Sequence, residues 1–165
     1  MARAGIVAFA FGAPDTLRSN QRIANSALVK AKELNTQVYT QLDVVLDPRW
    51  GIKAIYTQEE PGKPPPTLRI ARGAVSWALD NGIAMLWISA AKPHLKRCER
   101  DLRYSIREAR AQIKVGICEG IWQYPENEWF CPESTQPRVR SLKEWRSRER
   151  LLEWMPMCIY SRVAS

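Results

Sequence analysis

Residues 83–103 read IAMLWISAAKPHLKRCERDLR, an apolar run that meets a proline and continues as a charged segment. The run 83–88 is apolar throughout, as is typical of a strand covered on both faces, and Asn81-Gly82 before it is a natural stop for a preceding helix. The stretch therefore predicts a central strand, a turn and a helix. Ligands of open α/β sheets bind at the carboxyl ends of central strands, so the turn around His94 is the expected position of a ligand-binding site.

The same alternation of patterns extends over residues 1–118. Apolar runs bounded by turn residues predict four further strands, at 4–11, 36–45, 52–58 and 113–118. Apolar residues at helical spacing predict helices at 17–34, 67–81 and 94–112. Asp15 or Thr16 is expected to cap the first of these helices and Thr67 the second. The order predicts a three-layer, Rossmann-like α/β fold, with a mainly parallel sheet and helices on both faces.

Two stretches differ from this pattern. The proline-rich residues 59–66 predict an extended surface loop. Residues 119–165 are rich in aromatic and basic side chains, and we interpret them as a C-terminal appendage packed on the same domain as the 1–118 core. Within the appendage the pattern predicts a charged helix at about 138–153 and an edge strand at 157–163.

Length and composition restrict the class of protein. A chain of 165 residues is long enough for one well-packed domain, and 25 basic against 17 acidic residues give a net charge of +8 that favours anionic partners. The four cysteines form no Cys-x-x-Cys pair, so neither a zinc site nor a redox motif is indicated. No leader pattern and no apolar run of ~20 residues is present, and we therefore expect a soluble cytoplasmic protein without a membrane span.

The candidate ligand contacts lie after predicted strands. Lys92, His94 and Arg97 surround the start of one predicted helix and form an expected anion cradle, with His94 as the acid or base if the protein is an enzyme. The other candidates are Gly12 after the first strand, Arg18 and Asn20 in the helix that follows, and Asp43 after the second strand.

Each of these residues also has an ordinary structural explanation. Gly12 can be a turn residue, Arg18 part of a solvated helix face, and His94 only a helix-start residue. No Gly-x-Gly-x-x-Gly, Walker or serine-triad pattern accompanies them. Asp15 and Asp43 are the only acidic candidates near the predicted edge, so no metal site is predicted.

Two alternative functions remain open from the sequence. The basic helices 94–112 and 138–153 can hold a nucleic-acid backbone, although interspersed glutamates favour solvated faces with i,i+4 ion pairs. The aromatic segment 122–132 can contact a protein partner, which would make the chain a non-catalytic interaction module.

Residues 5–118 resemble the YdcF-like family, which also includes SanA and ElyC. The resemblance rests first on the order of elements. The residues Pro93-His94-Leu95-Lys96-Arg97 after the central strand fit the His-x-x-Arg pattern of the family. Thr67 and Ala71 fit its helix-start pattern. Arg69 and Ile70 stand where the family has Glu and Asn. The resemblance implies a Rossmann-like domain with a pocket at the strand ends, Thr67 among its contacts, and S-adenosylmethionine as a candidate ligand. From the clustered donors at the predicted helix starts, we expect a small anionic or nucleotide-like ligand.

Overall fold

Five parallel strands form a single sheet. The structure is a computed structural model that describes residues 3–59 and 65–164. The strands are β1 (Arg3–Ala8), β2 (Val38–Thr40), β3 (Ala54–Tyr56), β4 (Ile83–Ser89) and β5 (Lys114–Ile117). Their spatial order is β3-β2-β1-β4-β5, and every described pairing is parallel.

Helices cover both faces of this sheet. They are α1 (Arg18–Leu34), α2 (Thr67–Asp80), α3 (Lys92–Glu108), α4 (Leu142–Trp154) and α5 (Met157–Val163). Helices α2 and α3 pack against each other on one face, whereas α1 packs with the 3-10 turn Glu119–Gln123 on the other. The predicted three-layer, Rossmann-like fold is thus confirmed.

The position of β1 determines where a ligand can bind. From β1 the chain moves outward through β2 and β3, and then returns past β1 to β4 on its other side. Ala8 at the end of β1 is in register with Ser89 at the end of β4. Because the connections diverge at this point, the loops after β1 and β4 flank a crevice at the carboxyl edge, as expected at a topological switch point.

Residues 119–164 pack on this sheet and share its core. Ile121, Trp129, Phe130, Val139 and Trp145 are buried in the same apolar cluster as the strands. The segment runs through three short 3-10 turns and then enters α4, for which Ser141 is the N-cap and accepts a hydrogen bond from the Glu144 N–H. None of the helices in the described ranges has the length and apolar character needed to cross a bilayer.

Several predicted boundaries differ from the structure. The strand predicted at 36–45 spans only Val38–Thr40. Val44 and Leu46 are buried as loop residues, so their apolar character came from core packing and not from a strand. The edge strand predicted at 157–163 is wrong: the segment is α5, which follows Pro156 and buries Tyr160. Part of the predicted proline-rich loop, residues 60–64, lies outside the described residues.

The predicted helix caps are also wrong. Leu17 and Pro66 are the N-cap residues of α1 and α2, and neither helix start has a side-chain cap. Thr67 is instead the first residue inside α2. Its hydroxyl is directed to α3, where it becomes part of the site described below.

Candidate functional site

A cavity of about 600 Å³ lies at the carboxyl ends of β1 and β2. Its walls include the turn after β1, the starts of α2 and α3, residues 135–139, and parts of α4 and α5. Four of the predicted contacts line it, Gly12, Thr67, His94 and Arg97. The turn at Gly12 and the turn at His94 therefore face one common cavity, although they are far apart in the sequence.

Gly12 allows the appendage to close one side of this cavity. It has φ +93°, and a Cβ atom there would lie 2.7 Å from Val139 Cγ2 and 2.8 Å from both Leu17 Cδ1 and Ser134 Oγ. Any side chain would therefore strain the backbone and displace the neighbouring segment. Gly12 contributes to the site by permitting close packing.

His94 lies on the floor of the cavity and is almost fully buried. Its Nε2 is 3.1 Å from Thr67 Oγ1, and that hydroxyl accepts a hydrogen bond of 3.2 Å from Arg97 Nη1. Because the described residues offer this hydroxyl no other acceptor, we assign its proton to Nε2. In this tautomer the ring proton resides on Nδ1, which is buried without a hydrogen-bond partner in the described part of the chain.

His94 is neutral in this environment. Burial lowers its pKa well below the ordinary value of 6.5, and the charges of Arg97 and Arg148 lower it further, while the backbone of Ala10, close to the ring but outside hydrogen-bond geometry, raises it. A neutral imidazole that presents an unpaired N–H is a hydrogen-bond donor without a charge. His94 is therefore suited to contact an oxygen atom of a ligand.

Arg97 is held in place by a buried ion pair. Its Nε donates to Glu149 Oε1 at 2.9 Å, and both side chains are more than 90% buried. The guanidinium carbon lies 5.5 Å from the centroid of the Trp145 ring. Glu149 compensates the charge of Arg97, and Thr67 accepts a hydrogen bond from its guanidinium. Arg97 therefore holds neighbouring side chains in position more than it adds free positive charge to the cavity.

Two further arginines supply uncompensated charge. Arg148 of α4 is half-buried and Arg138 is exposed, and both line the cavity. Neither has an ion-pair partner in the described ranges. Burial lowers the pKa of Arg148, and the nearby charges of Arg138 and Arg97 lower it further, while Glu149 and Tyr160 act in the opposite direction. The lining residues that the structure describes include no aspartate or glutamate, so the cavity is positively charged.

The remaining walls are neutral. Gln41 at the end of β2 accepts a hydrogen bond from Ala10 N through Oε1 at 2.8 Å, and this bond fixes the orientation of its amide. Beneath the cavity, Phe11 packs against Trp145 with ring centroids 4.7 Å apart, and Trp145 packs against His94 at 5.4 Å. The other apolar lining residues include Pro66, Ile70, Leu152, Val163 and Ala164.

Asn20 and Arg18 lie outside this lining. The Asn20 amide holds the turn after β1, since its Oδ1 accepts from Phe11 N at 2.8 Å and its Nδ2 donates to the carbonyls of Gly12 and Pro14. These bonds use both ends of the amide. Arg18 is exposed on α1 and does not line the cavity.

Lys92 and Asp43 also lie outside it. Lys92 Nζ donates to the carbonyl of Trp122 at 3.2 Å and lies 5.5 Å from the centroid of that indole ring, so it belongs to the appendage contact. Asp43 is half-buried, and burial raises its pKa, with Glu59 and Asp15 adding to the shift. The part of the chain that the structure describes contains no group of three or more histidine, cysteine or acidic side chains that could hold a metal ion.

The sequence interpretation did not place Arg138, Arg148 or Glu149 at this site. The basic residues among them were assigned to a nucleic-acid alternative, because the appendage has no fixed position in a pattern of strands and helices. One local signal existed: Trp145, Arg148, Glu149 and Leu152 follow helical spacing and form one face of α4. That face packs over the strand ends.

Comparison of the chain with protein-family models, curated proteins and solved structures found no match. The resemblance to the YdcF-like family therefore stays a prediction, supported by the residues quoted above. In the structure, Thr67, His94 and Arg97 of that resemblance are joined by hydrogen bonds and line one cavity.

Proposed function

We propose that this chain binds a small anionic, nucleotide-like ligand in the cavity at the carboxyl edge of its sheet. One observation carries the proposal: Arg138, Arg148 and the neutral His94 line one cavity, and no described lining residue carries a negative charge. Guanidinium groups and N–H donors are the usual partners of phosphate and carboxylate oxygens. A volume of about 600 Å³ is adequate for a ligand of mononucleotide size.

The charge of the cavity separates the candidate ligands. A nucleoside phosphate brings negative charge to Arg138 and Arg148, whereas S-adenosylmethionine brings a sulfonium and an ammonium group besides its carboxylate. Cations are repelled by uncompensated guanidinium groups. We therefore rank a phosphorylated ligand above S-adenosylmethionine. The proposed cellular location is the cytoplasm.

A catalytic role for His94 stays a prediction. In the arrangement derived above, Nε2 accepts from Thr67 and Nδ1 carries the proton, so the ring is a donor rather than a base. Base catalysis at Nδ1 requires the other tautomer, in which Nε2–H donates to Thr67 Oγ1. The contacts that the arginines make with a ligand do not depend on this choice of tautomer.

A thermal-shift panel of AMP, ADP, inorganic phosphate and S-adenosylmethionine tests the proposal. A ligand present at 100 times its dissociation constant adds ~2.7 kcal/mol to the free energy of unfolding. For a chain of this size that corresponds to a rise in Tm of roughly 5–10 °C. We expect the rise with at least one nucleotide.

The matched variants lie on the same segment. The Arg138→Gln/Arg148→Gln protein should lose the rise, and the Arg146→Gln/Arg150→Gln protein should keep it, because Arg146 and Arg150 are exposed on α4 and do not line the cavity. The proposal is wrong if no member of the panel raises Tm, or if both double variants respond as the unsubstituted protein does.

Nucleic-acid binding by helices 94–112 and 138–153 stays the alternative prediction. The basic side chains of α3 are partly compensated, since Arg103 pairs with Glu99 at 2.7 Å and Lys96 pairs with Glu153 at 3.2 Å. Binding through several phosphates would weaken roughly tenfold or more between low and moderate salt. An interaction through residues 122–132 is likewise untested, although Trp122 is 53% exposed.

A further inference from the structure

Two arginines at the cavity have no carboxylate within ion-pair distance in the described chain. Arg97 is compensated by Glu149, but Arg138 and Arg148 have no such partner among the described residues. The charges of Arg138 and Arg97 both act on Arg148, so its guanidinium lies near each of the other two, while the charge of Glu149 acts on Arg148 in the opposite direction. A ligand with two negative charges would balance the two free cations, whereas a monoanion would leave one of them uncompensated.

The available donors suit a tetrahedral group with three free oxygens. Arg148 and Arg138 each offer a planar fork of N–H donors, and His94, whose buried Nδ1 has no hydrogen-bond partner among the described residues, lines the same cavity. These donors come from three separate elements, namely α4, the turn Pro137–Val139 and α3. A planar carboxylate has only two oxygens and cannot accept from three separated donors as well as a phosphoryl group can.

The rest of the cavity suits an apolar body. Its apolar lining includes Pro66 and Ile70 of the α2 region and Leu152, Val163 and Ala164 at the C-terminal end of the chain. Val163 is 68% exposed, so covering it with a ligand would remove apolar surface from water. An inorganic anion alone would leave this lining uncovered.

We infer that the ligand is a phosphomonoester in its dianionic form, with its phosphoryl oxygens on Arg138, Arg148 and the Nδ1–H of His94 and a compact apolar body against Ile70, Leu152 and Val163. This inference rests on the proposed function and narrows it to one class of ligand. It assigns Arg97 and Thr67 a positioning role, because both are engaged with each other and with Glu149 or His94.

Three probes separate the components of the inference in calorimetric titrations at pH 8. Phenyl phosphate is a dianion with an apolar body, phenyl sulfate has nearly the same shape with one negative charge, and inorganic phosphate has the charge without the body. One additional charge-assisted hydrogen bond is worth roughly a factor of ten or more in affinity. We expect phenyl phosphate to bind at least tenfold more tightly than each of the other two probes.

The pH dependence supplies a second readout. The second pKa of a phosphomonoester is about 6, whereas a sulfate ester keeps its single charge. Both esters would bind in the same electrostatic environment. Its charged and titratable groups are His94, Arg97, Arg138, Arg148, Glu149 and Tyr160. The ratio of the two affinities therefore removes the part of the protein's titration that affects both esters alike, and it should fall toward one as the pH is lowered from 8 to 5.

Variants test the assigned contacts. Arg148→Gln should abolish most of the preference for phenyl phosphate over phenyl sulfate, and Arg150→Gln, which makes the same change outside the cavity, should preserve it. His94→Phe keeps the aromatic packing against Trp145 and removes the donor, so it should weaken both esters several-fold. Far-ultraviolet circular dichroism and Tm show whether each variant is folded.

The outcomes distinguish this inference from the proposed function. Equal affinities for phenyl phosphate and phenyl sulfate, with both lost in the Arg138→Gln/Arg148→Gln protein, would overturn the dianion and leave anion binding in place. Equal affinities for inorganic and phenyl phosphate would overturn the apolar body. Failure of all three probes together with the nucleotide panel would overturn both proposals.

Discussion

Replacing Arg97 by methionine should lower the free energy of unfolding by about 3–5 kcal/mol, because it leaves a carboxylate buried without its partner. Arg97 Nε and Glu149 Oε1 are 2.9 Å apart, and the two side chains are 7% and 9% exposed. The second oxygen, Oε2, already lacks a partner in the described chain, and burial raises the pKa of Glu149. The carboxylate therefore depends on Arg97 for most of its stabilisation.

The double variant separates the ion pair from the loss of packing. Substituting Glu149 by leucine in the Arg97→Met protein removes the buried charge as well, and stability should return to within ~1–2 kcal/mol of the unsubstituted protein. Arg103 and Glu99 provide a matched surface pair, 2.7 Å apart with side chains 50% and 32% exposed. Arg103→Met should cost only ~0.5 kcal/mol or less, since exposed pairs of this spacing contribute little.

Urea denaturation followed by circular dichroism measures all four proteins, and a loss of 3–5 kcal/mol corresponds to a fall in Tm of roughly 6–20 °C. A loss below 1 kcal/mol for Arg97→Met, or a double variant no more stable than that single variant, would refute the reasoning. In either case Glu149 would be solvated, and the contact between α3 and α4 would not depend on charge compensation.

Two further predictions concern the same region. Gly12→Ala should lower the free energy of unfolding by about 2–4 kcal/mol, because its φ of +93° is combined with contacts of 2.7–2.8 Å to the new Cβ atom. Gly51→Ala is the control: its φ is +65° with nothing within 4 Å, so it should cost only about 1 kcal/mol. Equal losses in urea denaturation would contradict the packing argument. His94 has a folded pKa below its unfolded value near 6.5, so below pH 6.5 the unfolded state binds a proton that the folded state does not, and stability falls. The difference in unfolding free energy between the unsubstituted protein and His94→Phe should therefore decrease by up to ~1.4 kcal/mol per pH unit below 6.5. A constant difference from pH 7 to 5 would contradict this, because it would show that His94 takes up its proton equally in the folded and unfolded states.

The sequence predicted the architecture because local patterns were sufficient for it. Continuous apolar runs such as 83–88 require a strand buried on both faces, and helical spacing after each run requires a helix that covers the sheet. Parallel strands place their carboxyl ends at one edge, so the sequence also predicted that Gly12 and His94 would approach each other. Thr67 and Arg97 were found through the family resemblance and the charge pattern, and the structure brings both to the cavity.

The charge and shape of the cavity depended on contacts that no local pattern encodes. Arg148 and Glu149 reach the strand ends only because α4 folds back over α3. The ion pair between Arg97 and Glu149, for example, joins residues 52 positions apart along the chain. Asn20 shows the opposite case: a polar residue in a promising position uses its amide for the turn after β1. Periodicity specifies which face of a helix is apolar, but it does not specify which distant helix that face will meet. The sequence by itself therefore determined the sheet and the edge at which the cavity lies, while tertiary packing alone decided which side chains surround the cavity, because burial and charge compensation are properties of segments brought together by folding.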